Sequence, residues 1–228
     1  MTATSTVFLL DVDNTLLDND RFAVDLRAQL TQLFGQNECD RYWSLYEQLR
    51  GTVGYADYLG ALQHFRREND DRPGLLAMSS WLLNYPFEKL VFPNALSAIE
   101  YLNTLGKAVI LSDGDIVFQP RKVERSGIQQ AIRGEVLIFV HKEHALDVMQ
   151  ARYPASHYVM VDDKPKILAA MKQQMGDRLT TVFVRQGHYA AQTDMATIQP
   201  APDHTISRIG DLPELATTLA HMPVTPAA

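Results

Sequence analysis

Asp11, Asp13 and Thr15 occupy alternate positions in the stretch DVDNT, directly after the apolar run Val7 to Leu10. An apolar run that ends abruptly in acids reads as a buried strand emptying into a loop, and in α/β sheets ligands bind beyond the carboxyl ends of such strands. One carboxylate there can attack an electrophile while its neighbour two residues on handles protons. Two acids so close repel each other. A divalent cation such as Mg²⁺ relieves that repulsion and clamps a phosphoryl oxygen, so the pair points to phosphate chemistry. The plain alternative is a capping or Asx-turn cluster at a strand exit, a common place for Asp and Asn.

Three further apolar runs end in polar clusters: Ser112-Asp113-Gly114, then His141-Lys142, then Asp162-Asp163. Acids, a hydroxyl beside a glycine turn, a lysine and a second acid pair are together the components of phosphoryl transfer. Each has a structural competitor. Ser112 can be an ordinary turn hydroxyl and Lys142 a solvated residue at a helix start. Lys122, ten residues after Ser112, rivals Lys142 for the same duty. Asp162 and Asp163 can cap the helix that begins at Pro165. His141 and His144 share a helix-like face without further ligands at zinc spacing, which favours a structural or solvated role.

The elements that must position these groups follow from the periodicity. Residues 18–91 are helical in pattern throughout and too long for a loop. Asn19 or Asp20 is expected to cap a first helix that stops at Gly35. A second runs from about Glu38 to Arg50 and stops at Gly51, a third starts near Tyr55, and a fourth covers Leu75 to Asn84. Tyr42, Trp43 and Tyr46 read as helix packing. From Pro93 the texture alternates: helix Asn94–Leu105, strand Lys107–Leu111, helix Gln119–Arg125, strand Val136–Val140. Helix Glu143–Tyr153, strand His157–Val161, helix Pro165–Met175 and strand Thr180–Val184 follow, with Arg185 to His204 irregular and a closing helix over Asp211–Leu219. Short apolar strands alternating with helices predict an α/β, Rossmann-like core with a parallel sheet flanked by helices. Core residues 1–17 and 92–228 then carry an inserted all-helical cap domain, 18–91.

Composition narrows the setting. The 228 residues carry a net charge of −6, with Lys and Arg scattered, so no surface favours nucleic acid or an anionic membrane. Cys39 is the one cysteine, so no internal disulfide can form. MTATSTVFLL has no positive leader and no apolar run reaches membrane-spanning length, which together predict a cytoplasmic protein; monomer and homodimer both stay open.

The four clusters, in this order, resemble the haloacid dehalogenase-like (HAD) superfamily, in its phosphatase branch with a helical cap after the first motif. Its DxDxT motif is matched by Asp11, Asp13 and Thr15, its second motif by VILSDG at Ser112, its third by Lys142 and its fourth by VMVDD at Asp162 and Asp163. The resemblance implies Mg²⁺-dependent hydrolysis of a small phosphorylated metabolite through an aspartyl phosphate on Asp11, with Asp13 as general acid and base. It further implies Thr15, Ser112, Asp113, Gly114 and Lys142 around the phosphoryl group, and Mg²⁺ at Asp11, the Asp13 carbonyl and Asp162, helped by Asp163. Two departures stand out: Lys166 where many relatives have a further acid, and Asp113 where Asn is frequent. Arg50 and Tyr55, at the edges of the expected glycine turn 50–55, are candidates to read the leaving group. Dehalogenases of the superfamily generally lack the second acid, which makes a mutase or phosphotransferase the closer rival. A non-catalytic phosphate-binding or regulatory protein is the alternative from another class.

Overall fold

A computed structural model of the chain describes residues 4–67 and 70–220. Six strands form one parallel sheet in the order β3-β2-β1-β4-β5-β6. They are β1 (Thr4–Leu10), β2 (Lys107–Asp113), β3 (Val136–Phe139), β4 (Ala155–Asp162), β5 (Leu179–Val184) and β6 (His204–Ile206). Both faces are covered, so the central strands are apolar without a break: Val7 to Leu10 and Val159 to Val161 are all buried. The strands that end in polar clusters are β1 to β4, and their carboxyl ends lie side by side on one rim.

Helices α1 (Asn19–Phe34), α2 (Gln36–Val53), α3 (Tyr58–Arg66) and α4 (Leu75–Asn84) lie between β1 and β2 and form a helical cap. The chain leaves the core and returns to it side by side. Leu17 bridges Val91, Asp18 N donates to Leu90 O at 2.8 Å, and Phe92 N donates to Leu16 O at 2.9 Å. The cap is not an independent oil drop. Phe22, Leu26 and Leu30 of α1 and Met78 and Leu82 of α4 belong to the same apolar cluster as Phe8, Leu10 and Val161 of the sheet. Phe22 anchors it, packing on Tyr58, Trp81, Tyr85, Phe87 and Phe118 with ring centroids 5.1–6.0 Å apart.

The remaining helices are α5 (Ala95–Leu105), α6 (Phe118–Arg125), α7 (Ile128–Ala131), α8 (Leu146–Arg152), α9 (Pro165–Met175), α10 (Gly187–Gln192) and α11 (Leu212–Ala220). Cys39 is buried in α2, packed as a small hydrophobe against the rest of the core. No described helix is long and apolar enough to cross a membrane.

Several expected boundaries are corrected. The cap of α1 is Asp18, whose carboxylate accepts from Arg21 N at 2.9 Å, in place of Asn19 or Asp20. α2 does not stop at Gly51 but runs through it to Gly54, whose φ of 85° ends the helix. α3 starts at Tyr58 behind the cap Asp57, so the expected turn 50–55 is mostly the last turn of a helix. The helix expected over Glu143–Tyr153 is a 3₁₀ turn at Lys142–His144 followed by α8. Residues 185–204, expected to be irregular, contain α10 and lead into the edge strand β6.

Gly54 is also where the cap meets the core. A Cβ built on it would lie 2.6 Å from His141 Nε2, so the left-handed glycine lets the imidazole press on the cap backbone. Gly51 has open space around it and ordinary helical backbone. The two glycines should therefore respond oppositely to alanine: Gly54→Ala lowers stability by about 1–2 kcal/mol, while Gly51→Ala raises it by up to about 1 kcal/mol. Urea denaturation of both variants checks this, and a loss at Gly51 would contradict the extended α2.

Candidate active site

The rim begins with Asp11, which is fixed at the end of β1 by its own amide donating to Val161 O at 3.0 Å. Its carboxylate is buried. Lys142 Nζ lies 2.5 Å from one oxygen, Ser112 Oγ donates to the same oxygen at 3.4 Å, and Thr15 Oγ1 donates to the other at 3.4 Å. Asp13 points to a different counterion, Lys122 Nζ at 2.7 Å, and receives Gln119 Nε2 at 3.4 Å. The backbone capping expected of such a stretch is carried by Asn14 instead. With φ at 59°, its Oδ1 accepts from the amides of Asn19 and Asp20 at 3.0 and 3.2 Å. Asp11 and Asp13 are thereby left for other duties.

Both rival lysines belong to the site, each with its own acid. Lys142 is fully buried between Asp11 and Asp162, whose Oδ2 is 2.6 Å from Nζ. Burial opposes its charge, but Asp11, Asp162 and Asp113 together hold its pKa above the ordinary lysine value. Lys122 is fully buried in a ring of aromatic faces, Phe22, Phe87 and Phe118, 5.7–5.9 Å from their centroids, and also donates to Asn19 Oδ1 at 3.0 Å.

Asp162 and Asp163 are buried at the end of β4. Asp162 Oδ1 accepts from Lys164 N at 2.8 Å, and Asp163 N donates to Thr15 Oγ1 at 3.1 Å. Neither side-chain oxygen of Asp163 has a hydrogen-bond partner. Burial, with Asp162 and Asp11 close by, raises its pKa, and burial likewise raises that of Asp162 against the pull of Lys142. One oxygen each from Asp11, Asp162 and Asp163 lies within 4.8 Å of the others. Such a set of hard oxygens, one of them without any partner, fits a divalent cation of the Mg²⁺ type. Lys166 is exposed, outside the cluster.

The other candidates are placed as follows. Asp113 is half-buried; its Oδ1 accepts from Lys142 N at 2.7 Å and fixes the lysine's backbone, while burial raises its pKa. The Gly114 amide donates to Phe139 O at 2.9 Å, and a Cβ there would press on Gln119 at 2.9 Å. Gly114 thus makes room for Gln119, which donates to Ser112 Oγ at 3.1 Å. Arg50 and Tyr55 line a cleft of about 370 Å³ between cap and rim, together with Asp13, Asp113, His141 and Lys164. A larger hollow, about 830 Å³, lies between α1, α4 and the return segment 86–93 and holds none of the rim residues.

Sequence reasoning missed the segment after β5. His188 N and Nδ1 meet the Asp20 carboxylate at 2.7 and 2.5 Å, Tyr189 Oη bonds the Arg50 guanidinium, and Lys164 Nζ lies 5.3 Å from the Tyr189 ring centroid. Gly187, with φ at 71°, is where the segment passes Asn14, since a Cβ there would be 2.5 Å from the Asn14 side chain. Its one signal in the sequence is the cluster Gln186-Gly187-His188-Tyr189 directly after an apolar strand. Lys164 was also missed; burial disfavours its charge, but Asp11 and Asp162 raise its pKa.

No family model matches the chain, and no curated protein does. Solved structures do. A haloacid dehalogenase-like hydrolase from Burkholderia xenovorans LB400 is 54% identical, covering 94% of this chain and 97% of that one with a TM-score of 0.88. More distant in sequence are the L-2-haloacid dehalogenase from Xanthobacter autotrophicus, 17% identical over 93% of this chain and 98% of that one (TM-score 0.61), and a HAD-hydrolase from Bacillus subtilis crystallised with magnesium, 14% identical over 96% and 99% (TM-score 0.61). These last two share the fold. With the first covering nearly the whole of both chains, and with four strand ends delivering acids, hydroxyl and lysine to one rim, this chain belongs to the haloacid dehalogenase-like hydrolases.

Proposed function

We propose that this hydrolase is a Mg²⁺-dependent phosphomonoesterase acting on a small phosphorylated metabolite through an aspartyl phosphate. The observation that carries the reading is Asp13: a second carboxylate on the cleft, held by Lys122 and Gln119 rather than spent on the backbone. Displacement of a halide from carbon has no use for an acid there, whereas an ester oxygen leaving phosphorus needs a proton.

An Asp11 oxygen attacks phosphorus, forming the acyl phosphate and breaking the bond to the ester oxygen, which takes its proton from Asp13. Asp13, now ionised, removes a proton from water as the water attacks phosphorus. The bond to Asp11 breaks and inorganic phosphate leaves. Thr15 and Ser112 donate from either side of Asp11, and Lys142 offsets charge on the nucleophile. Asp11, Asp162 and Asp163 would hold Mg²⁺, which supplies charge neutralisation of a phosphoryl oxygen when bound. The resemblance gives Asp162 the larger share of that binding. We assign Asp163 at least as much, a reading supported by the contacts that Lys142 and the Lys164 amide already make with Asp162.

Two outcomes are expected, and a third would overturn the reading. Asp11→Asn abolishes turnover of p-nitrophenyl phosphate in Mg²⁺ while circular dichroism and melting temperature stay near wild type; retention of more than a few per cent of activity would remove Asp11 as nucleophile. Asp13→Asn loses turnover and also stability, by about 3–5 kcal/mol, because Lys122 is left buried without its anion. Chloride release from 2-chloropropionate with no phosphatase activity would reverse the reading in favour of a dehalogenase.

The metal centre is tested without activity. Asp163 has a folded pKa above its unfolded one, so the native state holds that proton more tightly. The metal-free protein should therefore lose stability as pH climbs out of the ordinary carboxylate range towards the raised value. Asp163→Asn should melt higher than wild type in EDTA at pH 8 and gain less from added Mg²⁺. A variant that melts lower in EDTA, with the Mg²⁺ gain intact, would exclude Asp163 from the metal site.

A further inference from the structure

Among the described residues, the buried side-chain nitrogen and oxygen atoms without a hydrogen-bond partner are Asp162 Oδ2, both Asp163 oxygens, Trp43 Nε1 and Glu143 Oε2. The first three belong to the acid cluster, where Lys142 and a cation account for them. The other two lie on residues that line the same 370 Å³ cleft, from opposite sides: Trp43 on α2 of the cap, Glu143 on the 3₁₀ turn after β3. Buried donors and acceptors left open destabilise a fold and are kept where a ligand completes them.

The charges of the cleft decide what that ligand carries. Its cations are already matched. Arg50 donates to Tyr189 Oη and lies 3.9 Å from Glu47, Lys164 faces Asp11, Asp162 and Asp163, and His188 is held on Asp20. His141 Nδ1 is 3.7 Å from Glu143 Oε1, which leaves Oε2 as the open position. The walls between them include Tyr46, Tyr55, Tyr58 and Tyr189, and the Tyr189 ring already has Lys164 Nζ 5.3 Å from its centroid, an aromatic face in this cleft that takes a positive charge.

We infer that the cleft takes a phosphate monoester whose leaving group carries a cationic amine, received by Glu143, and an oxygen acceptor, received by Trp43 Nε1–H; this rests on the phosphomonoesterase reading. Trp43 and Glu143 are thus specificity-determining residues. The substrate class is the phosphorylated amino alcohols, including those that bear a carboxylate.

A matched pair tests this. Phosphoethanolamine and 2-hydroxyethyl phosphate differ only in ammonium against hydroxyl, and O-phosphoserine adds a carboxylate. With Mg²⁺ and wild-type protein, kcat/KM for phosphoethanolamine should exceed that for 2-hydroxyethyl phosphate by at least about tenfold, and O-phosphoserine should be better still. Glu143→Gln should bring the first ratio close to one. Trp43→Phe should erase the advantage of O-phosphoserine over phosphoethanolamine. Because each readout is a ratio within one protein, a general loss of activity cancels. If a variant fails to fold, the wild-type ratios decide alone. Turnover of p-nitrophenyl phosphate with wild-type ratios near one overturns the inference and leaves the phosphomonoesterase reading standing, whereas no turnover of any monoester overturns both.

Discussion

The structure depends on keeping three lysine ammonium groups among five carboxylates at the carboxyl edge of a buried sheet. Lys122 and Lys142 are fully buried, and neither could be there alone, since an unpaired buried charge costs several kcal/mol. Each is stable only because an acid from the loop after β1 reaches it, Asp13 for one and Asp11 for the other. Position follows from this constraint. β2 must deliver Ser112, α6 must turn Lys122 inward, and β3 must end where Asp113 can grip the Lys142 amide. Five acids outnumber three lysines, and Asp163, whose side-chain oxygens have no hydrogen-bond partner, is the acid whose charge burial and its neighbours disfavour most openly. A cation there would complete the balance that the lysines begin.

The same loop fastens the cap. Asn14 binds the first turn of α1 through two amides, and Asp20 on that turn binds His188 of the core. At the far end of α2, Arg50 reaches Tyr189 and Gly54 receives His141. The short helix α10 therefore touches the cap at two places, the first turn of α1 and the last turn of α2, while Lys164 lies beside the Tyr189 ring. Through the shared apolar cluster around Phe22, cap position and rim geometry are one packing problem. A substrate held between Trp43 and Glu143 would bridge the same two bodies that these contacts join.

Much of this was legible in the sequence, for identifiable reasons. Strands β1, β2, β4 and β5 lie inside the sheet and β3 at one edge, and the short apolar run in each announces it. The polar cluster after each of β1 to β4 can be read because an acid or lysine directly after such a run has few other uses. β6 is an edge strand of three residues, His204–Ile206, with one buried side chain, so no pattern marks it. Gly51 misled because glycine ends helices when it takes positive φ, and composition does not say which of two nearby glycines does so; Gly54 does. The segment 185–192 was invisible because its role comes from partners 139 to 168 residues distant, Arg50 and Asp20.

The choice between Lys122 and Lys142 shows what a one-dimensional reading cannot resolve. Spacing from Ser112 or from Asp162 treats them as rivals for one duty, because both can be imagined at the end of a side chain pointing to one acid. In three dimensions Asp11 and Asp13, two residues apart on an extended turn, face different directions, and the chain supplies a lysine to each. In the proposed mechanism, that separation is what lets one loop perform two kinds of chemistry. Asp11 lies between Lys142 and two hydroxyls, so each of its carboxylate oxygens meets a donor. Asp13, a fifth exposed at its side chain and tied to the lysine that the aromatic faces surround, lines the cleft. Had both acids shared one lysine, they would have competed for one counterion and one direction of approach, and the two carboxylates could not have been set apart on one loop.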